Sequence, residues 1–150
     1  MVEEAIAEIF AEAHENLFAS LSGEPDREAW LARATKRYLS PGHLATPSRG
    51  CAVPTLGGEV ARADPRIRKA FGRQVERVID RIATALGGDA PTADDRRRAV
   101  TVFSTWVGAM TVARLVGDAL SREVLASVSR QISDAAPRTA PAPSRRARER

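Results

Sequence analysis

Hydrophobic residues recur at helical spacing along nearly the whole chain. Val2, Ile6, Ile9, Phe10, Ala13, Leu17 and Leu21 share one face, with acidic residues on the other. This predicts an amphipathic helix of about twenty residues, stopped near Ser22-Gly23-Glu24-Pro25. Asp26 is a suitable N-cap for a second helix carrying Trp30, Leu31, Ala34, Tyr38 and Leu39. That helix must end by Ser40, because Pro41 disfavours helical geometry in the residue before it. From Tyr38 to Pro65, prolines and glycines interrupt the pattern, predicting a loop with a short helical turn over Pro54 to Ala61.

Asp64-Pro65 reads as a cap followed by proline in the first helical position. Behind it Ile67, Phe71, Val75, Val78, Ile79, Ile82 and Leu86 form one long stripe, ended by Gly87-Gly88. Thr92 and Asp95 open the next helix as a capping box. A last helix is expected from about Ser121 to Ile132, with Val124, Leu125, Val128 and Ile132 on one face. No strand-like alternation is present. The expected fold is all-α: a bundle of five long helices and one short one.

The fifteen residues between Arg98 and Arg114 carry no charge. They fall short of the roughly twenty needed to cross a bilayer, and Thr101, Ser104, Thr105 and Thr111 add polar groups. No membrane partner is expected. A helix apolar on nearly every face must be buried on nearly every face. Either its own chain surrounds it, or a second subunit covers one side. With the amphipathic helix that follows, two copies would form an isologous four-helix bundle. Gly108 in its middle costs about 1 kcal/mol of helix propensity relative to alanine, which the close approach of another backbone would explain.

The chain has 150 residues and a formal charge of +4. All of that excess lies in residues 137–150, which hold five arginines and one glutamate and read as a disordered basic tail. Residues 1–136 form one domain with 18 basic and 18 acidic groups, so its body lacks the basic footprint that phosphate backbones require. The acidic N-terminus (Glu3, Glu4, Glu8) does not resemble a signal peptide, and a cytoplasmic location is expected.

Candidate chemistry is sparse. One cysteine forbids an internal disulfide, and two histidines with that cysteine make no metal-ligand spacing. Di-iron bundles need Glu-x-x-His pairs, but Ala11 stands three residues before His14. Gly57-Gly58 lacks the rest of a phosphate loop. No Ser/His/Asp set assembles, and neither a metal, a cofactor nor an enzymatic activity is expected. Cys51 reads two ways: as a buried small hydrophobe, or as a responsive thiol beside a cation, for which Arg49 and Arg114 are the candidates. Arg114, at the end of the uncharged run, needs a reason of its own: a helix C-terminus, an ion pair such as Asp118, or an anionic ligand.

The order YLSP-x-H, a proline, RGC, L-x-x-EVA and A-x-x-P-x-x-R-x-A-F resembles the C-terminal ligand-binding and dimerisation domain of TetR-type transcriptional regulators. The segments WVGAMTVARLV and LSREVLASVSRQI are similar to that domain's last two helices, and the resemblance spans roughly residues 1–133. It implies a homodimer paired through the last two helices, with a small-molecule effector pocket in each subunit. It also implies that the helix from Val2 to Leu21 is the lever by which effector binding releases an operator. Some relatives use a cysteine in the matching Gly-Cys pair to sense electrophiles or oxidants; here that position is Cys51. The family's helix-turn-helix has no counterpart in these residues, so DNA contact is expected only through a module not present in this chain, which would be a fragment or a sensor alone.

Apolar lining with few polar anchors marks Phe10, Tyr38, Cys51, Leu56, Phe71, Val75, Phe103, Trp106 and Met110 as ligand-binding candidates. Dimer candidates are Val107, Arg114, Leu125, Val128 and Ile132. The alternatives are a ligand-free interaction module that forms mixed dimers with a full-length regulator, and an enzyme built on a helical bundle. A filled core favours the former; the latter needs convergent titratable groups in a cleft.

Overall fold

The computed structural model describes residues 1–134, so the expected basic tail at 137–150 lies outside the described residues. The elements are α1 (Val2–Phe18), α2 (Arg27–Tyr38), α3 (Pro41–Ala45), α4 (Ala52–Ala61), α5 (Pro65–Gly87), α6 (Ala93–Leu115) and α7 (Asp118–Asp134). Single 3-10 turns follow α1 (Ala19–Leu21) and α3 (Pro47–Arg49). Among the described residues there is no strand, and the fold is all-α as expected. Nor is any helix there long and apolar enough to cross a membrane.

Local chemistry sets most boundaries. Asp26 accepts the Glu28 and Ala29 amides at 2.9 and 3.1 Å, and Asp64 accepts the Arg66 amide at 2.7 Å. The Thr92/Asp95 capping box is complete. α5 ends at Gly88, whose φ of 77° is costly for any residue with a Cβ. The α1 stripe runs to Leu21 as expected, but its last turn tightens into the 3-10 form.

The expected short helical turn over Pro54 to Ala61 is present as α4, which begins two residues earlier, and the expected loop before it is partly helical as well. Ser40 is a cap as well as a stop: its Oγ accepts the His43 amide at 3.1 Å, and Pro41 opens α3. Pro47 and Pro65 likewise occupy the start of a helical segment, and Pro54 lies in the first turn of α4. The first-turn N–H groups have no intrahelical acceptor, so proline forfeits nothing there. α7 also starts earlier than expected, at Asp118.

α6 is the hub, packed along α5 and α7 and touched by α4 and α3, while α1 lies on α5 and α2. Its inner face (Ala99, Val102, Phe103, Trp106, Ala109, Met110, Ala113) is buried. An aromatic ladder crosses the core: Trp30 to Phe18 at 6.2 Å, Phe18 to Trp106 at 6.0 Å, and Trp106 to Tyr38 at 5.1 Å between ring centroids. Trp106 is fully buried, and its Nε1–H donates to Thr35 Oγ1 at 3.2 Å, so its one polar group is satisfied. Between α2 and α6, Arg98 donates to both carboxylate oxygens of Glu28 at 2.8 and 2.9 Å.

Candidate functional site

Two features of the domain have the chemistry of a binding site, and both are organised around α4. The first is a cleft of about 270 Å³, open to solvent on one side, between α1, α4 and α5. Val2, Ile6, Ile9 and Phe10 from α1 face Leu56, Glu59 and Val60 from α4, with Ala63 beyond it and Ile67 and Phe71 from α5. Phe10 and Phe71 meet edge to face at 4.9 Å. Only Glu59 brings a charge to the wall. Such a lining takes an apolar molecule and offers one carboxylate to orient it.

Of the expected ligand residues, Phe10, Leu56 and Phe71 line this cavity, and Val75 packs behind it. Tyr38, Cys51, Phe103, Trp106 and Met110 belong instead to the main core. Their side chains pack on one another, with Tyr38, Trp106 and Met110 fully buried. Ile6, Ile9, Val60, Ala63 and Ile67 were not among the expected residues. The signal for them is the recurrence of Leu56 and Val60 on one face of α4, continued by Ala63 just beyond the helix, at i, i+4 and i+7 opposite the α1 stripe.

The second feature is a buried polar cluster where α2, α3, α4 and α6 meet. His43 Nε2 accepts the Cys51 amide at 3.0 Å. A backbone N–H only donates, so the ring proton sits on Nδ1, which donates to the Tyr38 carbonyl at 2.6 Å. One neutral imidazole thereby satisfies the end of α2 and the start of α4. Burial lowers the His43 pKa; the bond to the Tyr38 carbonyl opposes that and Arg114 reinforces it. Gly50 completes the buckle: a Cβ there would come within 3.0 Å of the His43 ring.

Arg114 reaches inward from the last turn of α6, donating to Thr55 Oγ1 at 2.9 Å and to the His43 carbonyl at 3.0 Å. It pairs with no carboxylate among the described residues, Asp118 included. Burial pushes the Cys51 thiol up; the Tyr38 hydroxyl, the Val53 amide and Arg114 pull it back only in part. Arg49, the other expected cation, is exposed. At rest the sulfur is buried, and that burial outweighs the pull of Arg114 towards the thiolate.

The outer face of α6 remains open. Val100, Thr101, Ser104, Gly108, Val112 and Leu115 are exposed, Val112 to 44% and Leu115 to 78%. No charge interrupts this face between Arg97 and Leu115, and Leu120 of α7 is also exposed. A Cβ at Gly108 would meet nothing within 4 Å, so no neighbour in this chain explains the glycine. The expected dimer residues divide. Val107 and Val128 are half-buried at the edge of the main core. Leu125 and Ile132 are buried within the subunit, and Arg114 is turned inward, so these three side chains pack or bond inside their own chain.

No family model, curated protein or solved structure matches the chain.

Proposed function

We propose that this chain is the effector-binding and dimerisation domain of a TetR-type transcriptional regulator, a repressor that senses a small, mostly apolar molecule. The observation that carries the reading is the cavity beneath α1. Four of its lining residues belong to that helix, which acts as the lever in such regulators. A molecule held between Ile6, Phe10, Leu56 and Phe71 touches α1, α4 and α5 at once, so occupancy acts directly on the helix that would carry the signal. An apolar cavity near 150 Å³ admits benzene; one of about 270 Å³ admits a bicyclic or medium-chain molecule.

The open, uncharged face of α6 supports pairing with a second copy, now through Ser104, Gly108, Val112 and Leu115 rather than Leu125 and Ile132. Gly108 permits close approach of the partner helix. The helix-turn-helix that reads the operator in that family has no counterpart among these residues.

The test joins ligand and assembly. Titration of the full chain with 1-naphthol is expected to show saturable binding with Kd on the order of 0.1 mM, weakened about tenfold by Ala63→Phe, which fills the cavity. Sedimentation is expected to show a dimer at micromolar concentration that Val112→Glu with Leu115→Glu converts to monomer. Absence of saturable binding removes the sensor, and a wild-type monomer removes the pairing. The filled core around Trp106 favours the second reading, a ligand-free module that forms mixed dimers with a full-length regulator; a dimer that binds no naphthol decides for it.

A further inference from the structure

A second cleft, of about 420 Å³ and open to solvent, lies where the last turns of α1 and α2 meet α3 and the Pro47–Arg49 turn. Asn16, Arg37, Ser40, Thr46 and Arg49 supply its polar wall, and among the described residues no carboxylate lines it. Glu12 and Glu15 of α1 are exposed and lie outside the lining. The domain as a whole is balanced in charge, so two arginines on one acid-free wall are a local feature and not part of a basic surface.

Asn16 ties the two cations to one place. Arg37 donates to the Asn16 carbonyl through Nε at 3.2 Å and Nη2 at 2.9 Å, and to Ser20 Oγ through Nη1 at 2.9 Å. Asn16 Nδ2 in turn donates to the Arg49 carbonyl at 3.1 Å. The Arg37 guanidinium is thereby held in one orientation, with three of its N–H groups engaged and the others still available. Its partners are neutral, and the carbonyl end of α1 offers only about half a negative charge. The Arg49 guanidinium pairs with no carboxylate among the described residues.

The rest of the wall is short of acceptors. Ser40 Oγ accepts the His43 amide at 3.1 Å and keeps its own proton to give. Thr46 donates to the Gly42 carbonyl at 2.7 Å, and both His43 nitrogens are committed. Asn16 Oδ1 is the one side-chain amide oxygen in the lining. A fixed guanidinium, a second cation and a hydroxyl donor suit an oxyanion with several terminal oxygens, and arginine is matched to phosphate geometry. The lining has no aromatic ring beyond the His43 imidazole, so it offers no broad face on which a nucleobase would stack.

We propose that this cleft binds a phosphate group, free or as the monoester of a small hydroxylated molecule. Arg37 is the fixed fork, Arg49 the second cation and the Ser40 hydroxyl a neutral donor, leaving Asn16 Oδ1 for a hydroxyl of the ester. The site shares no lining residue with the apolar cleft between α1, α4 and α5, so it stands independently of the function proposed above.

The probes are inorganic phosphate and glycerol 3-phosphate, titrated calorimetrically into the full chain at pH 7.5 and constant ionic strength. Wild type is expected to bind saturably with Kd on the order of 1 mM. Arg49→Gln should weaken binding about tenfold, the cost of one charge-assisted contact, and Arg49→Lys should recover part of the loss. Arg37→Lys, which keeps the charge but not the fork, should weaken it comparably. The arginines of residues 137–150 are present in every variant, so their contribution is common to all. Without ligand, Arg49→Gln should unfold at the wild-type midpoint, since its guanidinium has no ion pair to lose. Affinity for glycerol 3-phosphate about tenfold above that for inorganic phosphate assigns the monoester, and equal affinities assign the free ion. The proposal is overturned by a wild type that does not saturate, by equal affinities in wild type and Arg49→Gln, or by a marked loss of stability in ligand-free Arg49→Gln.

Discussion

A single methyl group at Gly50 tests whether the His43 buckle holds the fold together. The φ of Gly50 is −104°, open to any residue, so Gly50→Ala acts by sterics alone. The added Cβ would lie within 3.0 Å of the His43 ring, a separation real Cβ atoms do not show. The ring cannot slide away freely, being bonded at 2.6 Å to the Tyr38 carbonyl and at 3.0 Å from the Cys51 amide. Displacing it strands one buried acceptor and one buried donor, at about 1–3 kcal/mol each. The edge-to-face contact with Tyr38, at 4.6 Å, is also lost, worth about 1 kcal/mol. With the two stranded groups at the lower part of that range, about 1–2 kcal/mol each, the expected cost is about 3–5 kcal/mol, a large share of the 5–15 kcal/mol that typically holds a domain folded.

In urea, with an m-value of about 2 kcal/mol/M, that cost lowers the midpoint by about 2 M. Protein concentration is kept constant, because association shifts apparent stability. The His43→Ala background provides the control. Without the ring the new methyl meets open space, so Gly50→Ala should then cost less than about 1 kcal/mol, giving a coupling energy near 2–4 kcal/mol. Strict additivity of the two substitutions, or a Gly50→Ala protein within about 0.5 kcal/mol of wild type, refutes the reasoning.

Two further outcomes follow from the same cluster. His43 and His14 both have pKa values lowered by burial, so the unfolded chain binds more protons near their ordinary value of 6.5. Stability should be fully present above that pH and fall as acidification approaches the folded-state values; His43→Gln should flatten the dependence seen in urea titrations between pH 7 and 5. Cys51, buried and held protonated, should react with a thiol-specific disulfide reagent far more slowly in the native protein than in urea. Equal rates in the two conditions would show that the thiol is accessible after all.

The helices were legible in the residue pattern because their causes are local. Asp26, Asp64 and the Thr92/Asp95 box act within three residues of themselves, and the stripe from Ile67 to Leu86 repeats inside one element. The stretch around Pro41 and Pro47 was not legible. A proline ends one helix and starts another with equal ease, and only the Ser40 cap and the His43 bonds decide which. The ligand residues divided for a related reason. An aromatic residue on an inward stripe is equally suited to a filled core or a cavity wall, and its neighbours across the fold choose between them.

Sequence alone therefore determined an all-α chain, its five long helices, and a central helix without charge between Arg98 and Arg114. Tertiary structure alone decided that the inner face of that helix is enclosed while Gly108 and Leu115 stay outside. It also decided that space remains beside Phe10 and Phe71 rather than beside Trp106, and that Arg114 turns in towards Tyr38. These outcomes depend on contacts between residues far apart in the chain, such as Phe10 with Phe71 and Tyr38 with Trp106. Helical periodicity records which side of a helix is apolar, not what lies against it.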